Sequence, residues 1–246
     1  MRDLLIGFLY KLMRNKSISN FVERLNGIRE KQMLAELLSD LHVTCVVDAG
    51  ANRGQYSRML RRLGYRGKII SFEPNPAVFQ MMVSTMSKDP NWKGVNCGLG
   101  SADGELEMNI FDDSLISSFL PGGQILSSKI DQVLRVPVKR LDGILPDLLE
   151  DLAQQRIYLK CDTQGFDLHV VQGAEGVMGQ IAGMQSELAV KTLYVGMPRY
   201  LEALALYESL GFELMDFWLV NRTVTGEALE YDGILRKKNA LNGPKR

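Results

Sequence analysis

From Val43 onward, short apolar runs alternate with amphipathic stretches. Residues 45–48 read as a short buried strand, followed by a glycine turn and a helix over about 56–63. Residues 67–73 predict a second strand and 76–86 a second helix. Residues 94–98 and 105–111 read as strands around the turn Ala102, Asp103, Gly104. A further buried strand is expected at 156–162, with a helix beginning near Phe166. Residues 183–190 then predict a strand, 199–210 a helix, and 211–218 and 231–236 two closing strands. Repeated β–α alternation with apolar strands predicts an α/β chain whose mostly parallel sheet is covered on both faces. The last two strands have too little chain between them for a crossover helix, so an antiparallel edge hairpin is expected.

Before Val43 the period changes. Phe21, Leu25, Ile28, Met33, Leu34, Leu37, Leu38 and Leu41 recur at helical spacing. Leu5, Phe8, Leu9, Leu12 and Met13 share one helical face, but Lys11 breaks their run and no small-residue cleavage site follows. That run is too short to span a bilayer. Its apolar face suits weak contact with a membrane or partner, or packing on the domain itself or on a homodimer mate. The resulting organisation is a helical extension over 1–44, one α/β domain over 45–240 and a flexible tail over 241–246.

Composition narrows the function classes. The chain has 246 residues, 46% of them hydrophobic, enough for one complete core. Its 29 basic residues balance 29 acidic ones, so no excess charge draws a polyanion and no nucleic-acid partner is expected. The three cysteines, Cys45, Cys97 and Cys161, stand singly, which suits a reducing, cytoplasmic setting and neither a disulfide framework nor a thiolate metal site. With only His42 and His169, a zinc site would have to be built mostly from carboxylates, which is uncommon.

The chemistry-bearing stretch runs from Val47 to Ser57. It follows a predicted strand and opens a helix, where glycines allow a tight turn and a close ligand approach. Exposed N–H groups at such a helix start bind a ligand's polar end. The pattern Gly50, Asn52, Gly54 lacks the three-glycine spacing of dinucleotide enzymes. Asp48 before it suits an amino group and would repel a pyrophosphate. Glu73 ends the second strand about 20 residues further on, where a Rossmann-type protein places an acid on the ribose hydroxyls. Together these residues predict a nucleoside site, with Tyr56, Ser57, Asn75 and Asn96 as further cofactor-binding candidates.

Residues 47–54, 71–76 and 159–167, supported by 98–104, 136–142, 171–174 and 185–188, resemble the FkbM family of S-adenosylmethionine (SAM)-dependent methyltransferases. The likeness covers roughly residues 46–236 in the family's order. It implies a Rossmann-type class I fold, with a mostly parallel seven-stranded sheet, an antiparallel edge strand and the N-terminal helical extension added. It also implies SAM as cofactor and O-methylation of a sugar, glycan or natural-product hydroxyl. Asp48, Gly50, Asn52 and Glu73 match the family's SAM-contact positions. The chain departs from the family at Cys161, where an apolar residue is usual, and at His169, where an acidic one is common. The second departure bears on the acceptor side.

A hydroxyl is a weak acid, so a positioned base helps its methylation by about 10²–10⁴-fold. Asp162 and Glu187, at or near the ends of successive strands, are the catalytic candidates, because open α/β sheets bind ligands at those ends. Gln164 and Tyr194 are the substrate-binding candidates. Paired carboxylates also suit Mg²⁺ or Ca²⁺, although no metal is assigned. His169 reads as a surface residue rather than a base. Residues 112–129 read as a mobile loop or lid carrying acceptor choice. A base methyltransferase would carry an Asn/Asp-Pro-Pro-aromatic loop where Asp162 to Gly165 stand. An NAD-dependent sugar enzyme lacks support from the glycine spacing, and a non-catalytic SAM-fold scaffold is the remaining alternative.

Overall fold

A computed structural model describes residues 16–112, 116–126, 128–238 and 240, and side chains from residue 24 onward. The apolar face of residues 5–13 and the tail over 241–246 lie outside the described residues. In chain order the elements are α1 (Lys16–Asp40), β1 (Cys45–Ala49), α2 (Gln55–Arg62), β2 (Lys68–Phe72), α3 (Pro76–Met86), β3 (Trp92–Val95), β4 (Gly98–Leu99) and β5 (Gly104–Phe111). They continue with β6 (Ile130–Lys139), α4 (Leu141–Leu148), β7 (Ile157–Cys161), α5 (Asp167–Gln172), β8 (Ile181–Ala189), α6 (Tyr200–Ser209), β9 (Phe212–Arg222) and β10 (Ala228–Lys237).

The main sheet has seven strands in the order β3-β2-β1-β7-β8-β10-β9. The first five are parallel, while β10 runs antiparallel to β8 and β9 folds back antiparallel on β10. The order reverses direction at β1, and in such sheets the crevice at that switch point takes the ligand. This is the class I methyltransferase-like, Rossmann-type fold expected above, edge hairpin included.

Alternation along each buried strand sends neighbouring side chains to opposite faces. Val47, Ile70, Leu159 and Met184 pack on one face with Leu141 and Leu145 of α4, Val170 of α5 and Tyr207 of α6. Val46, Ile69, Tyr158 and Ile234 pack on the other with Leu60 of α2, Leu34 and Leu38 of α1, and Leu41 just after it. The C-terminal part of the helical extension is thus built into the domain core. Its preceding residues Leu25 and Ile28 are exposed.

Local chemistry sets the element ends. Helix α3 begins where expected because the Asn75 side chain accepts from the N–H groups of Ala77 (3.0 Å) and Val78 (3.4 Å), with Pro76 at the first helical position. Strand β6 and helix α4 were not anticipated. Pro137 interrupts the donor pattern of β6, and Pro146 lies inside α4. Strand β6 pairs with β5 and β4 in a separate three-stranded sheet. The segment after β5 is stitched down on both sides. Asn109 and Ser118 exchange backbone bonds of 2.8 and 3.1 Å, and Gly123 N donates to Leu193 O at 2.7 Å.

Candidate functional site

The carboxyl ends of β2, β1, β7 and β8, with Asp232 of β10 beside them, open onto one cavity of about 390 Å³. At its β1 end the chain turns through three left-handed residues, Gly50 (φ 75°), Asn52 (φ 47°) and Gly54 (φ 73°). Gly50 is held to glycine twice over. A Cβ there would stand 2.0 Å from the carbonyl oxygen of Asp162, so the β1 turn and the end of β7 touch through backbone alone.

This turn organises Glu73. Its Oε2 accepts from Asn52 N (2.9 Å) and its Oε1 from Asn75 N (2.8 Å), so both carboxylate oxygens are fixed by backbone donors. Burial pushes its pKa up to about 7, against the lowering effect of those two N–H groups. Each oxygen keeps further acceptor capacity, and the carboxylate lines the cavity. Those free acceptor sites fit a pair of adjacent ribose hydroxyls, which donate, as a bound adenosine would present. Asn96 braces the same corner from behind, donating to Glu73 O (2.8 Å) and Pro74 O (3.2 Å), and does not line the cavity.

The middle of the cavity holds a buried lysine. Lys160 Nζ lies 3.1 Å from Asp48 Oδ1, 3.3 Å from Asp162 Oδ2 and 3.4 Å from Gly50 O. Its three N–H donors therefore face three acceptors, and the Tyr56 ring lies 5.3 Å from it. Asp48 is fully buried behind this lysine, with Ser57 Oγ donating to its Oδ2 at 3.4 Å. Burial raises the Asp48 pKa, and the Lys160 charge works against that rise. Asp48, Gly54 and Ser57 thus shape the turn from beneath, whereas Gly50, Asn52, Tyr56, Glu73 and Asn75 form its wall.

Beyond β7, Gln164 gathers the catalytic candidates. It sits at φ 54°, a conformation costly for a residue with a side chain. Its Nε2 donates to Asp162 Oδ1 and to Glu187 Oε2, both at 3.1 Å. Its Oε1 lies 2.8 Å from the Tyr194 hydroxyl, which is also 2.7 Å from Ile116 O. Its carbonyl accepts from Ser118 Oγ at 2.6 Å. Asp162 and Gln164 line the cavity, while Glu187 and Tyr194 stand behind them. Asp167 is a structural staple, accepting from Thr163 N (2.9 Å), Ser186 Oγ (2.8 Å) and Glu187 N (3.0 Å). His169 stacks on Phe166 at 4.2 Å, away from this cavity.

Sequence reasoning missed Lys160, Gln185 and Asp232 as wall residues, whereas Ser117 and Ser118, which also line the cavity, belong to the 112–129 loop it had singled out. Lys160 carried a signal, being the one charged residue inside an otherwise apolar buried strand. Asp232 carried none, since a closing hairpin reads as sheet edge. It accepts from the Gln185 amide, and Gln185 Oε1 in turn accepts from the Tyr56 hydroxyl at 3.2 Å. Burial first, and then the Asp162 charge, raises the Asp232 pKa to about 7. Among the described residues no cluster of three or more His, Cys, Asp or Glu is arranged to hold a metal ion, and no helix is long and apolar enough to cross a membrane.

Several known proteins are similar to this chain. A family model described as "Methyltransferase FkbM domain" matches residues 48–212. Methyltransferase sdnD of Sordaria araneosa is 29% identical over 155 residues, covering 53% of this chain and 60% of that protein. Methyltransferase 1 of Beauveria bassiana is 28% identical over 153 residues, covering 53% and 58%. The matched region thus spans about three fifths of the length of these curated relatives. Among solved structures, Aeropyrum pernix fibrillarin with natively bound S-adenosyl-L-methionine has a TM-score of 0.45 at 12% identity, covering 78% of this chain and 66% of that one. An rRNA methylase from Streptococcus thermophilus has a TM-score of 0.44 at 11% identity, covering 83% and 94%.

Proposed function

This chain belongs to the FkbM family of SAM-dependent methyltransferases, and from that premise we propose that it methylates a hydroxyl group of a sugar, glycan or natural-product acceptor. The observation carrying this reading is that one cavity joins the Glu73 corner, suited to ribose, to the carboxylates Asp162 and Asp232 at its other end. Bound there, SAM supplies an electrophilic methyl group on a positively charged sulfur. The residues supply the rest. Glu73, Asn52 and Asn75 hold the nucleoside end, and the Gly50 turn admits the ligand close to backbone. Lys160 and Gln164 fix one oxygen each of Asp162, so this carboxylate meets an acceptor hydroxyl in one orientation. Orientation of this kind supplies about 7–11 kcal/mol of barrier lowering in favourable cases. Acceptor choice falls to Ser117, Ser118 and Phe119, which bring the segment after β5 to the cavity wall.

A reducing compartment suits the protein, since all three cysteines are buried and unpaired. The neutral charge balance supports an acceptor other than nucleic acid. The test is methyl transfer from radiolabelled SAM to a panel of sugars, glycans and hydroxylated natural products, with product oxygens located by mass spectrometry and NMR. O-methyl products from the wild-type protein, absent in Asp162→Asn, support the reading. Label found only on nitrogen or carbon would sink it.

A further inference from the structure

The acceptor end of the cavity holds more acid than base. Asp162 and Asp232 lie on its wall, and Glu187 and Glu230 stand directly behind. Lys160 is the cation between them, and it is already shared with Asp48. Glu230 is 1% exposed, its Oε1 has no hydrogen-bond partner among the described residues, and its Oε2 accepts only a long bond of 3.4 Å from Asn221. Glu187 and Asp232 sit opposite each other in the β8–β10 pairing, so their charges face across one strand gap. Like charges at that spacing, removed from water, cannot all be ionised together. Among the described residues no group of three or more His, Cys, Asp or Glu is arranged to hold a metal ion, and protons or a cationic ligand can balance the excess.

We propose that Asp232 is a proton store tuned to the charge of the cofactor: it gives up its proton when the sulfonium form enters the cavity and takes the acceptor's proton as that positive charge disappears. The inference rests on the methyl-transfer reading above. Asp232 is the member of the group that both lines the cavity and titrates near neutrality, its pKa pushed up to about 7. The groups that face it are Lys160 and Tyr158 from β7, Asp162 just after β7, Asp167 from α5, Glu187 from β8, Tyr56 from α2 and Glu230 on its own strand. Lys31 of α1 and Arg62 of α2 reach the same cavity. A positive ligand charge among these acids lowers the Asp232 pKa, so its proton leaves on binding. In the transfer step the acceptor O–H bond breaks towards Asp232. The oxygen's electron pair forms the new bond to the methyl carbon, and the carbon–sulfur pair stays on sulfur, leaving a neutral thioether. One positive charge and one carboxylate charge vanish together, so the net charge of the buried site is conserved.

The test needs no acceptor. SAM and its neutral product S-adenosylhomocysteine (SAH) are titrated calorimetrically into the wild-type protein at pH 7, in phosphate and in Tris, to count protons exchanged on binding. Both ligands share the adenosine that meets Glu73, so any proton released there is common to the two. The expected result is an excess release with SAM of up to about half a proton, because a group with a pKa near 7 is half protonated at that pH. The excess vanishes well above pH 7, where Asp232 is already ionised. Asp232→Asn removes the excess and keeps the common part, whereas Glu73→Gln does the reverse. Equal proton counts for SAM and SAH in the wild type would overturn the inference, whatever the variants do. An excess unchanged in folded Asp232→Asn would overturn it too. If neither ligand binds the wild type, the cofactor reading falls first and takes the inference with it.

Discussion

The two ends of the cavity are built by different means. At the proposed nucleoside end, Glu73 is fixed by the backbone N–H groups of Asn52 and Asn75, and the turn beside it depends on glycine conformation. At the acceptor end, Asp162, Gln164, Glu187, Gln185 and Asp232 hold one another side chain to side chain, from β7, its following turn, β8 and β10. Backbone donors cannot rotate away, so the first end is a fixed mould in shape, even though the Glu73 carboxyl it holds has its pKa raised to about 7. Side-chain networks of uneven charge respond to protons and to ligands. The contrast teaches where this fold keeps what is common to its chemistry and where it keeps what can be tuned.

The largest expected effect comes from breaking the junction between the two ends. Lys160→Met leaves Asp48 buried with no cation beside it, and such losses cost about 3–5 kcal/mol. Urea unfolding at pH 7 measures it. Replacing both partners, in Asp48→Asn with Lys160→Met, should recover a large part of the loss. A double variant no more stable than the single one would show that Lys160 acts mainly through Asp162 and the Gly50 carbonyl.

Next in size is the mould itself. Glu73→Ala removes the carboxylate proposed to meet the ribose and leaves two backbone N–H groups without their partner. Hydrogen bonds to charged groups contribute about 1.5–3 kcal/mol each, so SAM affinity should fall by at least about tenfold. SAH should lose affinity by the same factor, since this end does not sense the methyl group. Calorimetry of both ligands decides. A selective loss of SAM alone would mean that the two ends are not separate.

The same contrast explains what was legible in the sequence. Strands β1, β2, β7 and β8 announce themselves as apolar runs, and the Asn75–Pro76 start of α3 is written in adjacent residues. Gly50, Asn52 and Glu73 follow because a backbone mould is encoded locally, by residue types that permit or forbid a turn. The acceptor end was only half visible. Asp162 and Glu187 were singled out from their place at or near strand ends, but the bridging role of Gln164 depends on β7 lying beside β8, and the presence of Asp232 on β10 lying beside β8. That adjacency joins residues 185–187 to residue 232 and is set by the order of strands in the sheet. Lys160 stood in plain sight in its strand, yet only the register Asp48–Lys160 between β1 and β7 shows what it pairs with. Strand β6 was hidden by its proline and by a face that is largely solvated.

A smaller effect appears in the pH dependence of stability. Glu230 has its pKa raised to about 7 by burial. Its native state therefore favours the protonated form. That contribution to stability is complete below the unfolded value of 4.5 and is lost as pH rises through about 7. Glu73 and Asp232 act in the same direction. Unfolding free energy should decline between pH 5 and 8 on their account, as checked by urea titration at each end of that window. Glu230→Gln is always neutral and should flatten part of the slope, gaining on the order of 1–3 kcal/mol over the wild type at pH 8. An unchanged slope would mean that Glu230 is ionised and compensated in the folded protein.

The smallest expected effect is also the sharpest probe of the boundary. Tyr56 stands on the helix that opens after the glycine turn, yet its hydroxyl donates to Gln185 Oε1 at 3.2 Å, and the Gln185 amide serves Asp232. It is thus a thread from the mould into the responsive network. Tyr56→Phe removes one hydrogen bond and should cost about 0.5–1.5 kcal/mol of stability. Affinity for SAH should stay within about twofold, because that loss is the whole of the change and none of it falls on Glu73. The freed Gln185 amide holds Asp232 less firmly, and the donor it withdraws was lowering that carboxyl's pKa. The pH at which SAM binding releases its excess proton should therefore move upward. If the proton midpoint stays fixed while SAH affinity drops, Tyr56 belongs to the mould, and the line between the two ends runs through Gln185 instead.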